Sequence, residues 1–151
     1  MSEPLLERLR RLWAQRVEAV RGMVAMGVAT NELAGFGWWF ASGKFGDKWA
    51  LPELITAVKL CGRMESDHFV VERLAKVAPG APLEAIQALA ALAESDKEGW
   101  SISGWLEEAR TIFSTAHERS DAATREAAED LIHRLGARGY LGFRDLLTMP
   151  A

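Results

Sequence analysis

The stretch SDAATREAAEDLIHRLGARG, Ser120 to Gly139, decides the fold class. At 100° per residue, its apolar side chains share one arc of a helix and its charged side chains share the opposite arc. The apolar arc consists of Ala123, Ala127, Ala128, Leu131, Ile132 and Leu135. Ser120 is the expected N-cap, and Gly136 follows the last apolar residue, where a left-handed C-cap favours glycine. The stretch therefore predicts an amphipathic helix that packs closely against a neighbouring helix.

The same periodicity continues through the rest of the chain. Proline in the first turn and glycine or proline after the last turn give most of the expected helix ends. The helices expected in chain order cover residues 4–27, 31–43, 51–62, 66 or 67 to 78, 81–95, 101 or 103 to 117 and 120–136, with a loop at 43–50 and a short amphipathic tail at 140–147.

The segment from Pro82 to Ser95 is apolar nearly all round, because alanine and leucine occupy most of its positions. A helix without a polar face has to be covered on several sides. We therefore expect this helix to lie in the middle of the fold.

The expected first residues of every second helix recur at a roughly constant spacing. Asn31, Asp67 and Ser103 are 36 residues apart, and the same step reaches Gly139. Helix pairs that recur at about 34–47 residues indicate an α-solenoid. The second helices of the pairs are spaced less evenly, so the repeat is degenerate.

The phrase DAATREAAEDLIHRLG, Asp121 to Gly136, resembles the second half of a HEAT-type repeat, with an Asp at the turn, Arg-Glu-Ala-Ala, an aliphatic pair and Leu-Gly. The resemblance covers these sixteen residues. It implies an all-α fold, a short right-handed α-solenoid of antiparallel helix pairs, whose usual role is a non-catalytic interaction surface. An irregular α-helical bundle is the alternative fold. The chain also looks like a helical-repeat segment of a larger bacterial multidomain protein.

Length and composition agree with a single domain over residues 1–151. The net charge of −3 argues against attraction of the whole molecule to nucleic acid or an anionic membrane. Cys61 is the single cysteine, so an internal disulfide and a cysteine-rich zinc site are excluded, which fits a cytoplasmic location. No apolar run reaches the 18 residues of a membrane span, and no membrane partner is expected.

Three groups of residues partly resemble a phosphate-binding loop or a catalytic nucleophile site. GFGWWFASGKF, Gly35 to Phe45, departs from a phosphate-binding loop because five residues separate its last two glycines where four are needed. Cys61 with Asp67 and His68, and Ser114 with His117 and Asp121, lack the other signals of a nucleophile site.

Glu126, Glu129 and His133 share one helix face, but a solvated polar face is the better interpretation. We therefore expect no catalytic residue, no cofactor and no metal, and the chain is not expected to be an enzyme.

Tryptophan is the most informative residue type. Trp13 and Trp105 lie on apolar faces and are expected in the core. Tryptophan is enriched at binding hot spots because it buries a large area at small entropic cost. The candidate partner-binding patch consists of Trp38, Trp39, Lys44, Phe45, Lys48 and Trp49. The alternative is that these aromatics close the open end of the stack. If the patch binds a partner, replacing Trp39 or Trp49 weakens binding with little loss of stability.

The leading functional hypothesis is a non-catalytic helical-repeat scaffold that binds another protein or another domain of the same polypeptide. The alternative is nucleic-acid binding along a basic surface of the stack, tested by a steep dependence of binding on salt. That surface would use Arg8, Arg11, Arg16, Arg21, Arg125, Arg134 and Arg138.

Overall fold

The computed structural model describes residues 2–28, 31–96, 100–118 and 121–148. Within these ranges the chain is all-helical and has no strand, which confirms the all-α part of the predicted fold. Short 3₁₀ helices occupy Glu32–Gly35 and Arg144–Thr148. The α-helices are α1 (Glu3–Ala25), α2 (Phe36–Ser42), α3 (Asp47–Cys61), α4 (Asp67–Val77), α5 (Pro82–Ser95), α6 (Trp100–Gly104), α7 (Leu106–Glu118) and α8 (Ala122–Ala137).

The helices contact one another in two rows. In one row α2 packs on α4 and α4 packs on α7, and in the other α3 packs on α5 and α5 packs on α8. The rows are joined where α2 meets α3, where α4 meets α5, and where α7 meets both α5 and α8. Helices two or three apart in the chain are therefore neighbours in space.

Helix α5 lies at the centre of this arrangement, as its composition predicted. It contacts α3, α4, α7 and α8, so no broad face is left for water. Alanine at alternate contact positions lets these helices approach closely. The buried residues of α5 are Ala85, Ile86, Ala88, Leu89, Ala91, Leu92 and Ala93.

Both expected ends of α8 need correction. Ser120 lies outside the described residues, and the N-cap is Asp121, whose side chain accepts hydrogen bonds from the Ala123 amide at 3.2 Å and the Thr124 hydroxyl at 2.6 Å. The expected C-cap at Gly136 is wrong. Gly136 is helical and buried, and an added Cβ there would meet the Arg144 guanidinium at 3.1 Å. The turn with positive φ falls at Gly139 instead, after the helix has ended.

Helix α3 begins four residues earlier than expected, at Asp47, so the loop before it shrinks to residues 43–46. Pro52 therefore lies inside the helix rather than in its first turn. Gly46 is the extended N-cap, and Asp47 in the first turn interacts favourably with the helix dipole. As a result, Trp49 is a helical residue and not a loop residue.

The second expected helix is split. Asn31 makes no side-chain cap, and residues Glu32–Gly35 form a 3₁₀ turn before α2 begins. The predicted ends at Gly43 and Gly62 are confirmed, since both glycines adopt left-handed conformations with φ of 70° and 71°.

The expected helix from Ser101 or Ser103 is also interrupted, because a bend at Trp105 separates α6 from α7. Helices α2, α4 and α7 begin at Phe36, Asp67 and Leu106, so successive starts are 31 and 39 residues apart. The regular 36-residue step is therefore wrong for the helices themselves.

Helix α1 packs against α3 and the Glu32–Gly35 turn, and its described end beyond Val20 is exposed. None of the described helices combines the length and the apolar character needed to cross a bilayer.

Candidate partner-binding groove

Three of the six residues in the sequence-predicted patch belong to an aromatic cluster beneath α1. Trp39 stacks on Phe45 with ring centroids 5.1 Å apart, and Phe45 lies 5.4 Å from Trp49. Trp13 and Phe36 complete the cluster at a centroid distance of 4.4 Å. Phe45 is buried, whereas Trp39 and Trp49 are half-buried against the core. These rings therefore serve first as packing between α1, α2 and α3.

Trp38 points away from that cluster. It is 57% exposed and lies 6.3 Å from Phe69, another exposed ring on α4. Lys44 and Lys48 are exposed. Adjacent residues on a helix point about 100° apart, so α2 sends Trp39 inward and Trp38 outward. The structure therefore divides the six residues between two places instead of forming one surface.

Helix α1 is attached to the body by two polar contacts that flank the aromatic cluster. The Trp13 indole N–H donates to the Glu53 carboxylate at 3.0 Å, and the Arg10 guanidinium lies 5.6 Å from the centre of the Trp49 ring. Arg10 also pairs with Glu3 at 3.1 Å and with Glu7 at 3.6 Å. These contacts fix the orientation of α1 on α3.

An open groove of about 820 Å³ runs between α1 and the segment from Glu32 to Trp39. Trp13, Phe36 and Trp39 form its floor, and Arg16 and Glu32 lie 3.7 Å apart at its edge. From α1 it is lined by Leu9, Leu12, Trp13, Gln15, Arg16, Ala19 and Met23. The groove is thus mostly apolar, with one ion pair across it.

The lining of the groove is part of a stripe along α1 that the sequence interpretation missed. The stripe consists of residues that follow one another in alternating steps of four and three, the spacing along which two packed helices contact each other. Its members are residues 5, 9, 12, 16, 19, 23 and 26. Leu12 is 53% exposed and Met26 is 81% exposed. A second stripe with the same spacing contains the buried residues Leu6, Trp13, Val17 and Val20.

Helical spacing alone predicts one apolar arc on α1, made of Leu5, Leu9, Leu12, Trp13, Val17, Val20 and Val24. That prediction needs correction because the arc merges two faces, and only Trp13, Val17 and Val20 among these residues are buried. Counting the two four–three series separately would have found the second face, since each series is apolar over most of its length.

Charge is unevenly placed along the chain. Helix α1 carries five arginines and three glutamates, a net charge of +2, although the whole chain has a net charge of −3. Arg8, Arg11 and Arg21 are exposed on α1. At 100° per residue, Arg8 and Arg11 lie on the solvent side of the stripe, whereas Arg21 lies on the opposite side of the helix.

Two of the three arginines expected on the C-terminal part of a basic surface, Arg134 and Arg138, are engaged within the fold. Arg134 pairs with Asp130, at 2.8 Å from its Nε, and with Glu94. Arg138 donates to the Ala93 carbonyl at 2.7 Å and to the carbonyl of Asp96. Their positive charge is thus partly neutralised or directed at the backbone.

Among the described residues, the group of three side chains that brings potential metal-ligand atoms within 4.8 Å is His68, Glu72 and Glu108. His133 and its two helix neighbours do not form such a group there. His68 Nε2 lies 3.6 Å from Glu72 Oε1, an exposed ion-pair geometry that needs no metal.

No protein-family model, no curated protein sequence and no solved structure matches this chain. Function therefore has to be argued from the groove and the other surfaces described above.

Proposed function

We propose that this chain is a non-catalytic helical-repeat domain that binds another protein, or another domain of the same polypeptide, through the groove along α1. The observation that carries the proposal is the exposed stripe from Leu5 to Met26, which is apolar except for Arg16 and lies beside a floor of aromatic rings. Isolated exposed apolar residues are ordinary, but a continuous apolar patch marks an interaction site.

The contacts between alternate helices support a scaffold role. Rows of α2, α4 and α7 and of α3, α5 and α8 are what a short stack of helix pairs produces. The connection of four residues between α4 and α5 favours an antiparallel pair. We infer a short HEAT-type solenoid, right-handed as the sequence resemblance implies, on which α1 forms one edge.

The shape and length of the groove fit an α-helix. At 1.5 Å per residue, α1 is about 34 Å long, and its exposed stripe has the four–three spacing into which another helix packs. Helix-in-groove recognition uses apolar anchors at such positions. The partner segment is accordingly an amphipathic helix of several turns.

The arginines on α1 determine which charge the partner helix should carry beside its apolar face. Arg8 and Arg11 are exposed on the solvent side of the stripe. Acidic residues beside the partner's apolar face would meet these arginines, and such charges contribute mainly to association rate and specificity. Binding is therefore expected to weaken as the salt concentration rises.

The pKa values of Arg110, Asp145 and Arg134 are shifted by ion pairs at the surface. Hydrogen bonding to Asp145 raises the pKa of Arg110, and the same contact lowers the pKa of Asp145. Hydrogen bonding to Asp130 raises the pKa of Arg134. These shifts belong to surface ion pairs, whereas catalytic groups cluster in clefts.

A synthetic peptide tests the proposal directly. The probe is a labelled amphipathic helix with leucine at the four–three positions and glutamate on both flanks, and fluorescence anisotropy measures its binding. We expect Leu12→Ser and Met23→Ser to weaken binding by roughly tenfold each, because each removes an apolar anchor. Leu141→Ser is the matched control, since Leu141 is as exposed as Leu12 but lies outside the groove.

Three results would contradict the proposal. One is no binding of the acidic-flanked peptide at low salt, and another is equal binding of a peptide with lysine on its flanks. The third is tight binding of duplex DNA with a steep salt dependence that Arg8→Gln and Arg11→Gln abolish, which would favour a nucleic-acid surface.

A further inference from the structure

A second cavity, of about 640 Å³, lies on a different part of the molecule from the α1 groove. Its walls come from the loop between α3 and α4, from the end of α5 and from the bend before α7. Ser66, Asp67, Asp96 and Trp105 line it, and the exposed ring of Trp38 stands beside it. Residues far apart in the sequence thus form one polar pocket.

The loop that forms one wall is held firmly. The Glu65 amide donates to the Ala34 carbonyl at 2.9 Å, and Gly37 packs directly on the Glu65 carbonyl. Ser66 adopts a left-handed conformation with φ of 51°, the one described non-glycine residue that does so. Strained backbone persists where the surroundings enforce it, and it is concentrated at functional sites.

Two residues that line the pocket carry a buried polar side-chain atom without a hydrogen-bond partner among the described residues. These atoms are the indole nitrogen of Trp105, a residue only 1% exposed, and the hydroxyl oxygen of Ser66. A buried polar group without a partner is costly, and such groups are rare in folded proteins. The indole N–H can only donate and the hydroxyl can donate or accept, so one acceptor oxygen on a ligand would satisfy both.

The charged residues of the pocket are mainly acidic. Glu65, Asp67 and Asp96 stand against a single cation, Arg63. None of these four has an ion-pair partner within 4.0 Å among the described residues, although Asp67 and Asp96 each accept a backbone amide, from His68 and Ile102. Three carboxylates and an exposed indole face are the features that attract an organic cation.

We propose that this pocket binds a lysine or arginine residue through two of its groups, the ammonium or guanidinium at the end of the side chain and the backbone carbonyl several bonds away. The cation faces Asp67, Asp96 and the Trp38 ring, while the carbonyl oxygen accepts from Trp105 and Ser66. Free basic amino acids and basic peptide segments share this chemistry. The site is separate from the α1 groove and does not depend on the function proposed for it.

Nuclear magnetic resonance of the ¹⁵N-labelled full chain tests the site. The chain has six tryptophans, so it gives at most six indole N–H signals, and Trp105 is assigned by standard through-bond spectra. We expect Nα-acetyl-lysine methylamide to move the Trp105 indole signal saturably. The norleucine analogue has nearly the same shape without the charge and should leave the signal in place.

Two variants test where the cationic group of the ligand binds. Asp67→Asn and Trp38→Ala should each weaken binding, the former by roughly tenfold because one charge-assisted contact is lost. Both positions are at least partly exposed, so the fold is retained. Glu129→Gln, an exposed carboxylate on α8 outside the pocket, is the matched control and should bind normally.

The source of the ligand is separated by comparing free lysine with a glycyl-lysyl-glycine peptide blocked at both ends. Preference for either one supports the site and identifies which source fits. Absence of any Trp105 shift at millimolar ligand would overturn the proposal. Equal shifts with the lysine and norleucine compounds, or normal binding by both pocket variants, would overturn it as well.

Discussion

Gly37 lies directly against the backbone carbonyl of Glu65. A Cβ added to Gly37 would overlap that carbonyl oxygen and stand 3.0 Å from the carbonyl carbon. Helix α2 and the loop before α4 therefore approach at backbone distance, which explains why a helix contains glycine despite its low helix propensity. The hydrogen bond of 2.9 Å from the Glu65 amide to the Ala34 carbonyl joins the same loop to the Glu32–Gly35 turn just before α2.

Gly37→Ala is expected to destabilise the chain strongly, by roughly 3 kcal/mol, because backbone atoms cannot rotate away as a flexible side chain does. The measurement is the midpoint of urea unfolding. Gly22→Ala is the matched control, since it is also a helical glycine but has no atom within 4 Å of the added Cβ. It should gain about 0.5–1 kcal/mol from helix propensity. Equal effects at the two positions would contradict the close approach.

Trp38 and Trp39 are adjacent but are expected to differ in their effect on stability. Trp39→Ala opens a gap in the aromatic cluster and should cost about 2–3 kcal/mol. Trp38→Ala removes an exposed ring and should cost less than about 1 kcal/mol. Thermal unfolding of both variants checks this, and a larger loss for Trp38 would mean that α2 is rotated. The expectation that Trp39 can be removed at little cost in stability is thereby revised.

The sequence predicted the helical class, the central place of α5 and several helix ends, because these depend on local composition and spacing. The left-handed glycines at 43 and 62 and the all-round apolar pattern of Pro82–Ser95 are properties of short segments. Local rules of this kind need no knowledge of which helix packs on which.

The groove and the pocket required the tertiary structure. Periodicity shows that α1 has many apolar positions, but the placement of α3 and the Glu32–Gly35 turn decides which stripe is covered. Likewise, Ser66 and Trp105 are 39 residues apart, and only packing around α4, α5 and α7 brings them to one cavity. The residues of the pocket have no fixed sequence spacing that a motif search can detect.

Ser66 gives a test of backbone strain. Ser66→Gly and Ser66→Ala both remove the unpartnered hydroxyl and differ only in the Cβ, which is unfavourable at φ of 51°. We expect the glycine variant to be more stable than the alanine variant by about 1 kcal/mol, or about 2–4 °C in melting temperature. An alanine variant as stable as the glycine variant would show that the left-handed conformation is not retained in solution.

The N-cap of α8 should make stability depend on pH. The hydrogen bond from the Thr124 hydroxyl, followed by that from the Ala123 amide, lowers the pKa of Asp121 below its ordinary value of 3.8. The charged cap therefore stabilises the fold at neutral pH, and its contribution is lost as the pH falls below 3.8 through the lower folded-state pKa.

Asp121→Asn keeps an acceptor oxygen but cannot ionise, so it is less stable than the native chain at pH 7, and the difference should shrink in acid. Urea unfolding of both proteins between neutral and acidic pH measures this. Glu129→Gln, at an exposed carboxylate on the same helix, is the control and should show a smaller pH-dependent difference from the native chain. A difference between the Asp121 proteins that stays constant with pH would show that the cap acts without its charge.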